Sequence, residues 1–169
     1  MNENCILETL RLHLRRFEKS DAESLFLLNL DPEVIQYTGD ISFENTLDAQ
    51  IFLANYDHYD KFDFGRWAVI EKSSNEFIGW CGLKYTPDCD EHDIGFRLFR
   101  KYWNQGFATE AAEACIKLGF EKYQLQTIVG RARKENISSI RVLEKIGLTY
   151  IGDFDFNGND GLLYIKNKF

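Results

Sequence analysis

Leu10, Leu12 and Leu14 alternate with Arg11, His13 and Arg15, and that period of two predicts a strand with one wet face near the start of the chain. Ser20-Asp21-Ala22-Glu23 then has the spacing of a capping box, in which the serine hydroxyl and the glutamate carboxylate satisfy amides at a helix start. Leu25, Phe26, Leu28 and Leu30 supply that helix with its apolar face. Asp31-Pro32-Glu33 reads as an N-cap with proline at the first helical position, opening a short second helix that ends near Tyr37 and Gly39. Leu47, Ile51 and Ala54 give residues 46–56 helical spacing. The first third of the chain is thus one strand followed by helices.

From Arg66 the period changes. Trp67-Ala68-Val69-Ile70, the turn Ser73-Ser74-Asn75-Glu76, and Phe77-Ile78-Gly79-Trp80-Cys81-Gly82-Leu83 predict a β-hairpin. Ile94-Gly95-Phe96-Arg97-Leu98 predicts another strand, where Gly95 marks a bulge or a close backbone approach. Ala108, Ala111, Ala112, Cys115 and Gly119 fall on one face of a helix opening at Gly106, and their small size predicts close packing on a sheet. Residues 127–132 read as a strand and 137–146 as a helix stopped by Gly147. Tyr150-Ile151 and residues 162–165 read as strands flanking the turn Asn157-Gly158.

Composition narrows the class. The 169 residues carry 20 Lys and Arg against 27 Asp and Glu, a net charge of −7. A single domain of this length buries about 70% of the surface its unfolded chain exposes, so the core needs no disulfide or metal. The 44% hydrophobic and 15% aromatic content excludes a disordered chain. An acidic balance opposes binding to nucleic acid or anionic membranes, which takes clustered Lys and Arg. No apolar run approaches the roughly 20 residues of a membrane span. Met1, Asn2, Glu3 and Asn4 do not begin a leader, and a soluble, cytoplasmic protein is expected. Cys5, Cys81, Cys89 and Cys115 show no paired spacing and are expected free. Cys81, Cys89 and His92 lack a fourth ligand, so no metal site is expected.

Two stretches carry chemistry. Between the strand at residues 94–98 and the helix opening at Gly106, a loop delivers backbone N–H groups to a helix N-terminus, and a glycine there lets an anion approach without a Cβ in the way. It is neither a Walker loop nor a dinucleotide fingerprint. In the second stretch, Asn136 and Ser138 or Ser139 are good capping residues for the helix after them, and Glu144 with Lys145 reads as a solvated face.

Taken in order, Asp93-Ile94-Gly95-Phe96-Arg97-Leu98, Tyr102-Trp103-Asn104-Gln105-Gly106-Phe107-Ala108-Thr109-Glu110-Ala111, and Glu135-Asn136 with Ser139, Arg141-Val142-Leu143-Glu144-Lys145 and Gly147 resemble the Gcn5-related N-acetyltransferases (GNAT). The branch that it resembles is the RimJ/RimL type, the ribosomal-protein N-terminal acetyltransferases. Leu10-Arg11-Leu12, Asp21-Ala22, Asp31-Pro32-Glu33-Val34 and Tyr37 share the likeness, which covers about residues 8–166. It implies one domain over residues 8–169 with a mixed α/β (α+β) fold: a mixed, centrally splayed sheet of about seven strands with helices on both faces. It also implies acetyl-CoA as co-substrate, a monomer or homodimer, and a primary amine as acceptor. By the same resemblance the backbone of Phe96, Arg97 and Leu98 would hold the pantetheine arm, the amides of Asn104, Gln105, Gly106, Phe107, Ala108 and Thr109 would cradle the pyrophosphate, and Asn136 would orient the arm near its thiol end. The family's loop often reads Gln/Arg-x-x-Gly-x-Gly/Ala, whereas this chain has Trp103 at the first position and Gln105 just before Gly106.

Leu143 stands seven residues after Asn136, where many relatives carry a tyrosine that protonates the departing thiolate. A thiol of pKa about 8.5 is already a fair leaving group, so a hydrogen-bond donor suffices. Ser139, one helical turn after Asn136, is the expected donor. Direct attack needs a neutral amine, which an α-amino group of pKa about 7.7–8.0 supplies more readily than a lysine near 10.4. Asp93 is the first candidate for the base, with Glu91 and His92 behind it. Tyr37 and the stretch Tyr56-Asp57-His58-Tyr59-Asp60 through Phe64 are expected at the acceptor mouth, where acid would attract a cationic amine. Peptide N-termini, polyamines and aminoglycosides all fit. An acyl-CoA-binding sensor without turnover is the competing reading.

Overall fold

A computed structural model describes residues 4–169; Met1, Asn2 and Glu3 lie outside the described residues. Two strands open the chain where one was expected: β1 (Cys5–Glu8) and β2 (Leu12–Arg15) pair antiparallel. Leu12 and Leu14 are fully buried, whereas Leu10 sits in the connecting turn, 90% exposed. Three apolar residues in alternation did not reveal that the first belongs to a turn. A 3-10 turn then leads into α1 (Ala22–Leu30). The capping box there is formed by Glu18 and Asp21, not by Ser20 and Glu23, because Arg15 clamps Asp21 through two 2.8 Å bonds and turns its carboxylate back on the Glu18 amide. Asp31 caps α2 (Pro32–Ile35) by accepting from the Glu33 N–H, and Asn45 caps α3 (Thr46–Ala54). A short helix α4 (His58–Phe62) occupies part of the expected aromatic loop.

The hairpin forms as β3 (Arg66–Glu71) and β4 (Phe77–Thr86), and β4 pairs along its length with β5 (Glu91–Leu98). After α5 (Phe107–Glu121) come β6 (Thr127–Arg133), α6 (Ile137–Lys145), β7 (Thr149–Phe156) and β8 (Asn159–Asn167). Asn157 and Gly158, at φ 51° and 83°, make the tight turn joining the last two strands. The eight strands run β1-β2-β3-β4-β5-β6-β8-β7. All neighbours are antiparallel except β5 and β6, which register only at Asp93 opposite Val129 and part beyond it. That parting is the splay.

Consecutive strand residues face opposite sides of a sheet, which separates Trp80 from Cys81. On the Cys81 side lies α5, its Cys115 Sγ 3.7 Å from Cys81 Sγ, with Gly119 pressed on Leu83 and Ile128; α6 packs Leu143 over Gly130 on the same side. On the Trp80 side, α1 and α3 build a smaller cluster around Ala22, Leu25 and Ala49. Gly95 makes no bulge: its ladder with Gly82 is unbroken, and the group occupying the space of its missing side chain is the Arg66 guanidinium, 2.7 Å from where a Cβ would stand. No helix among the described residues is long and apolar enough to cross a membrane.

Candidate active site

The loop between β5 and α5 is held open by two left-handed residues, Asn104 at φ 58° and Gly106 at φ 81°. Among the described residues no acceptor takes the backbone N–H of Asn104, Gln105, Gly106, Phe107, Ala108 or Thr109; the first helical bond of α5 is Glu110 N–H to Gly106 O. Six consecutive free amides at the positive end of a 15-residue helix are an anion cradle. The Trp103 indole donates to Leu98 O at 2.9 Å and ties the loop to the end of β5. Gln105 is not aimed at the cradle, since its side-chain amide donates to Lys101 O.

Arg11 braces this loop from β2's side of the sheet. Its guanidinium donates to Gln105 O at 2.9 Å, pairs with Glu110 at 2.7 Å and lies 4.2 Å from the Phe107 ring centroid. Burial pushes the Glu110 carboxyl up, but bonds from the Thr9 hydroxyl, the Arg11 N–H and the Arg11 guanidinium outweigh it and hold the group below its ordinary value.

The cradle opens into a cavity of about 400 Å³ that runs between β5 and the start of α6 and is lined by Phe96, Arg97, Leu98, Asn136 and Ser139. Asn136 is a cap: its Oδ1 accepts the Ser139 N–H at 3.2 Å. That leaves its Nδ2 hydrogens and the Ser139 hydroxyl without partners among the described residues, so both are free donors at the cavity wall. Leu143, 1% exposed, is part of the core and offers no proton. Arg141 and Lys145, one turn apart on α6, line the same cavity with no ion-pair partner among the described residues.

A second cavity of about 660 Å³ lies on the Trp80 side of the sheet and meets the first at Tyr37, Thr38, Phe96, Arg97, Asn136 and Ser139. Asp93 lines it, but Arg66 holds Asp93 Oδ1 at 2.5 Å, so only Oδ2 is free to take a proton. Tyr37 stands under the Arg133 guanidinium. Of the expected aromatic and acidic stretch only Tyr56 and His58 reach the cavity. Asp57 pairs with Lys61, and the Tyr56 and Tyr59 hydroxyls serve the backbone of Arg66 and Phe17. His58 Nε2 accepts the Tyr85 N–H, and burial with Arg66 and Lys84 nearby lowers its pKa, so it stays neutral with that lone pair taken. Arg97 is anchored by Asn29 and Asp40, and Arg131 by Glu91, which therefore is no free base.

Arg11, Arg66, Arg131 and Arg141 escaped sequence reasoning. Only Arg141 with Lys145 left a local trace, the i, i+4 spacing that puts two cations on one helix face. No three His, Cys, Asp or Glu side chains gather to hold a metal among the described residues.

A family profile, "Acetyltransferase (GNAT) domain", matches residues 11–149. The chain is 33% identical over 157 residues to the uncharacterized protein YkkB of Bacillus subtilis, covering 89% of this chain and 88% of that one. It is 32% identical to the uncharacterized N-acetyltransferase p20 of Bacillus licheniformis, covering 83% and 80%. An acetyltransferase (GNAT family) from Bacillus anthracis superposes with a TM-score of 0.82 at 28% identity, covering 96% and 98%. The anion cradle, the splayed strands and this kinship define an acyl-transferring enzyme. The chain belongs to the GNAT acetyltransferases.

Proposed function

We propose that the protein is an acetyl-CoA-dependent N-acetyltransferase of the RimJ/RimL type that acylates a primary amine by direct attack. The observation that carries this is the run of six unpartnered amides leading straight into the gap between β5 and β6. Acetyl-CoA supplies the thioester carbonyl and a thiolate leaving group. The cradle from Asn104 to Thr109 holds the diphosphate, and Arg141 and Lys145 add charge for phosphate groups. The backbone of Phe96 and Arg97 holds the arm; Leu98 O already accepts from Trp103. Asn136 Nδ2 orients the arm, and the Ser139 hydroxyl donates to the sulfur. The acceptor enters from the second cavity past Tyr37, and Asp93 Oδ2 takes the amine's proton through water. An α-amine, neutral more often than a lysine at pH 7, asks least of that base.

Two measurements test this. Calorimetry with coenzyme A should show one site, and thiol release from acetyl-CoA should rise with an amine panel. Absence of coenzyme A binding overturns the reading; tight binding without release on any amine favours the sensor, which Leu143 in place of a tyrosine makes the specific rival.

A further inference from the structure

The acceptor cavity has the opposite charge balance from the chain that builds it. Arg66, Lys84, Arg97 and Arg131 line it against two carboxylates, Asp40 and Asp93, with a third, Glu91, paired to Arg131, in a protein of net charge −7. Register explains why they converge. Arg66 on β3, Gly82 on β4 and Gly95 on β5 stand in one row, and the missing side chain of Gly95 lets the Arg66 guanidinium lie across the strand in its place. Lys84 and Asp93 form the next row with Val129, and Arg131 follows Val129 by two residues on the same face. Trp80 stands between Arg66 and Arg97, 5.4 and 5.2 Å from their guanidinium carbons.

The arginines keep donors to spare. A guanidinium has five N–H groups; Arg131 uses one on Glu91, and Arg97 uses two, on Asn29 and Asp40. Lys84 is exposed and has no ion-pair partner among the described residues. Spare guanidinium donors above an aromatic floor fit a carboxylate attached to an apolar body and repel a second ammonium. Resting on the acetyltransferase reading, we propose that the acceptor is an amino-carboxylate, whose anionic group is met by Arg131 and Lys84 while its amine reaches the junction of the two cavities; Asp93, in the Lys84 row with its charge offset by Arg66, then takes the amine's proton only through water. The same cations disfavour the ammonium form, which helps the amine arrive neutral. The carboxylate has two sources, a free amino acid or an acidic residue in a peptide N-terminus.

Binding of two isosteric pairs to the full chain, followed by calorimetry, distinguishes them: N-acetyl-phenylalanine against its amide, and N-acetyl-aspartyl-phenylalaninamide against its asparaginyl twin. In at least one pair the acid should bind tighter by about tenfold or more, the scale of a charged hydrogen bond, and which pair does so names the source. Arg131→Gln and Lys84→Gln should each shrink the preference, and Glu91→Gln, which releases Arg131, should enlarge it. Equal binding within both pairs, no binding in either, or tighter binding of spermidine overturns the proposal. Thiol release with neutral amines but no acid preference sinks this inference alone; acid preference without release on any amine sinks the acetyltransferase reading instead.

Discussion

Asn136 shows how one side chain serves both fold and site. Its oxygen caps α6 through the Ser139 N–H, and the same orientation presents its nitrogen to the cavity. Asn136→Asp keeps the acceptor and loses the donor, so it should leave the melting temperature near that of the native protein and lower kcat. Asn136→Ala loses both, and should also cost about 1 kcal/mol of stability, the ordinary worth of a cap. Ser139→Ala removes a hydroxyl with no partner among the described residues; kcat should fall on the order of a hundredfold, as when one transition-state donor is deleted. Its urea midpoint should barely move. A large stability loss with unchanged kcat would return Ser139 to a structural role.

Among the elements, the loop into α5 holds its shape by backbone conformation and by a brace. Gly106 at φ 81° is a position where a Cβ costs roughly 1–2 kcal/mol, and that Cβ would also stand 3.3 Å from the Arg11 guanidinium. Gly106→Ala and Arg11→Ala should therefore both raise KM for acetyl-CoA severalfold while kcat at saturation changes little, because the cradle is displaced and the sulfur end is not. A drop in kcat with KM unchanged would place Arg11 elsewhere in the mechanism. The turn's glycine was legible in the sequence because the requirement is local. Its brace was not, since Arg11 reaches Glu110 across 99 residues of chain. Likewise α4 escaped because its five residues are too short for a periodicity to register, and its aromatics are held by packing of His58 on Phe64 and of Phe62 on Tyr85.

Across the whole molecule, burial is the leading cause that holds His13, His58 and His92 below their ordinary pKa. The unfolded chain takes up protons at about 6.5, where the folded protein still refuses them, so stability falls as pH drops through that value and levels off only below the folded pKa values. Urea midpoints should therefore decline from pH 7.5 to 5.5 at constant m, and His58→Gln, whose amide oxygen can still accept the Tyr85 N–H, should flatten part of that slope. A flat profile in the native protein would show that the histidines are equally protonated in both states.

The sequence by itself determined the strands after β1 and most helices, the Asp31 cap, the hairpin turn at Asn157-Gly158, the glycine that opens α5 and the Asn136–Ser139 pair. Each depends on neighbours within a few residues, where period, capping and turn chemistry act. Only the tertiary structure decided which charges line the second cavity. Arg66 with Asp93, Arg131 with Glu91 and Arg97 with Asp40 are separated by 27, 40 and 57 residues, and they meet because register and the parting of β5 from β6 bring them to one face. Read along its length, the chain placed the acidic stretch from Tyr56 to Phe64 at the mouth of this cavity. Folding sends Asp57 and Asp60 away from the cavity and turns arginines into it, a choice that local pattern does not carry.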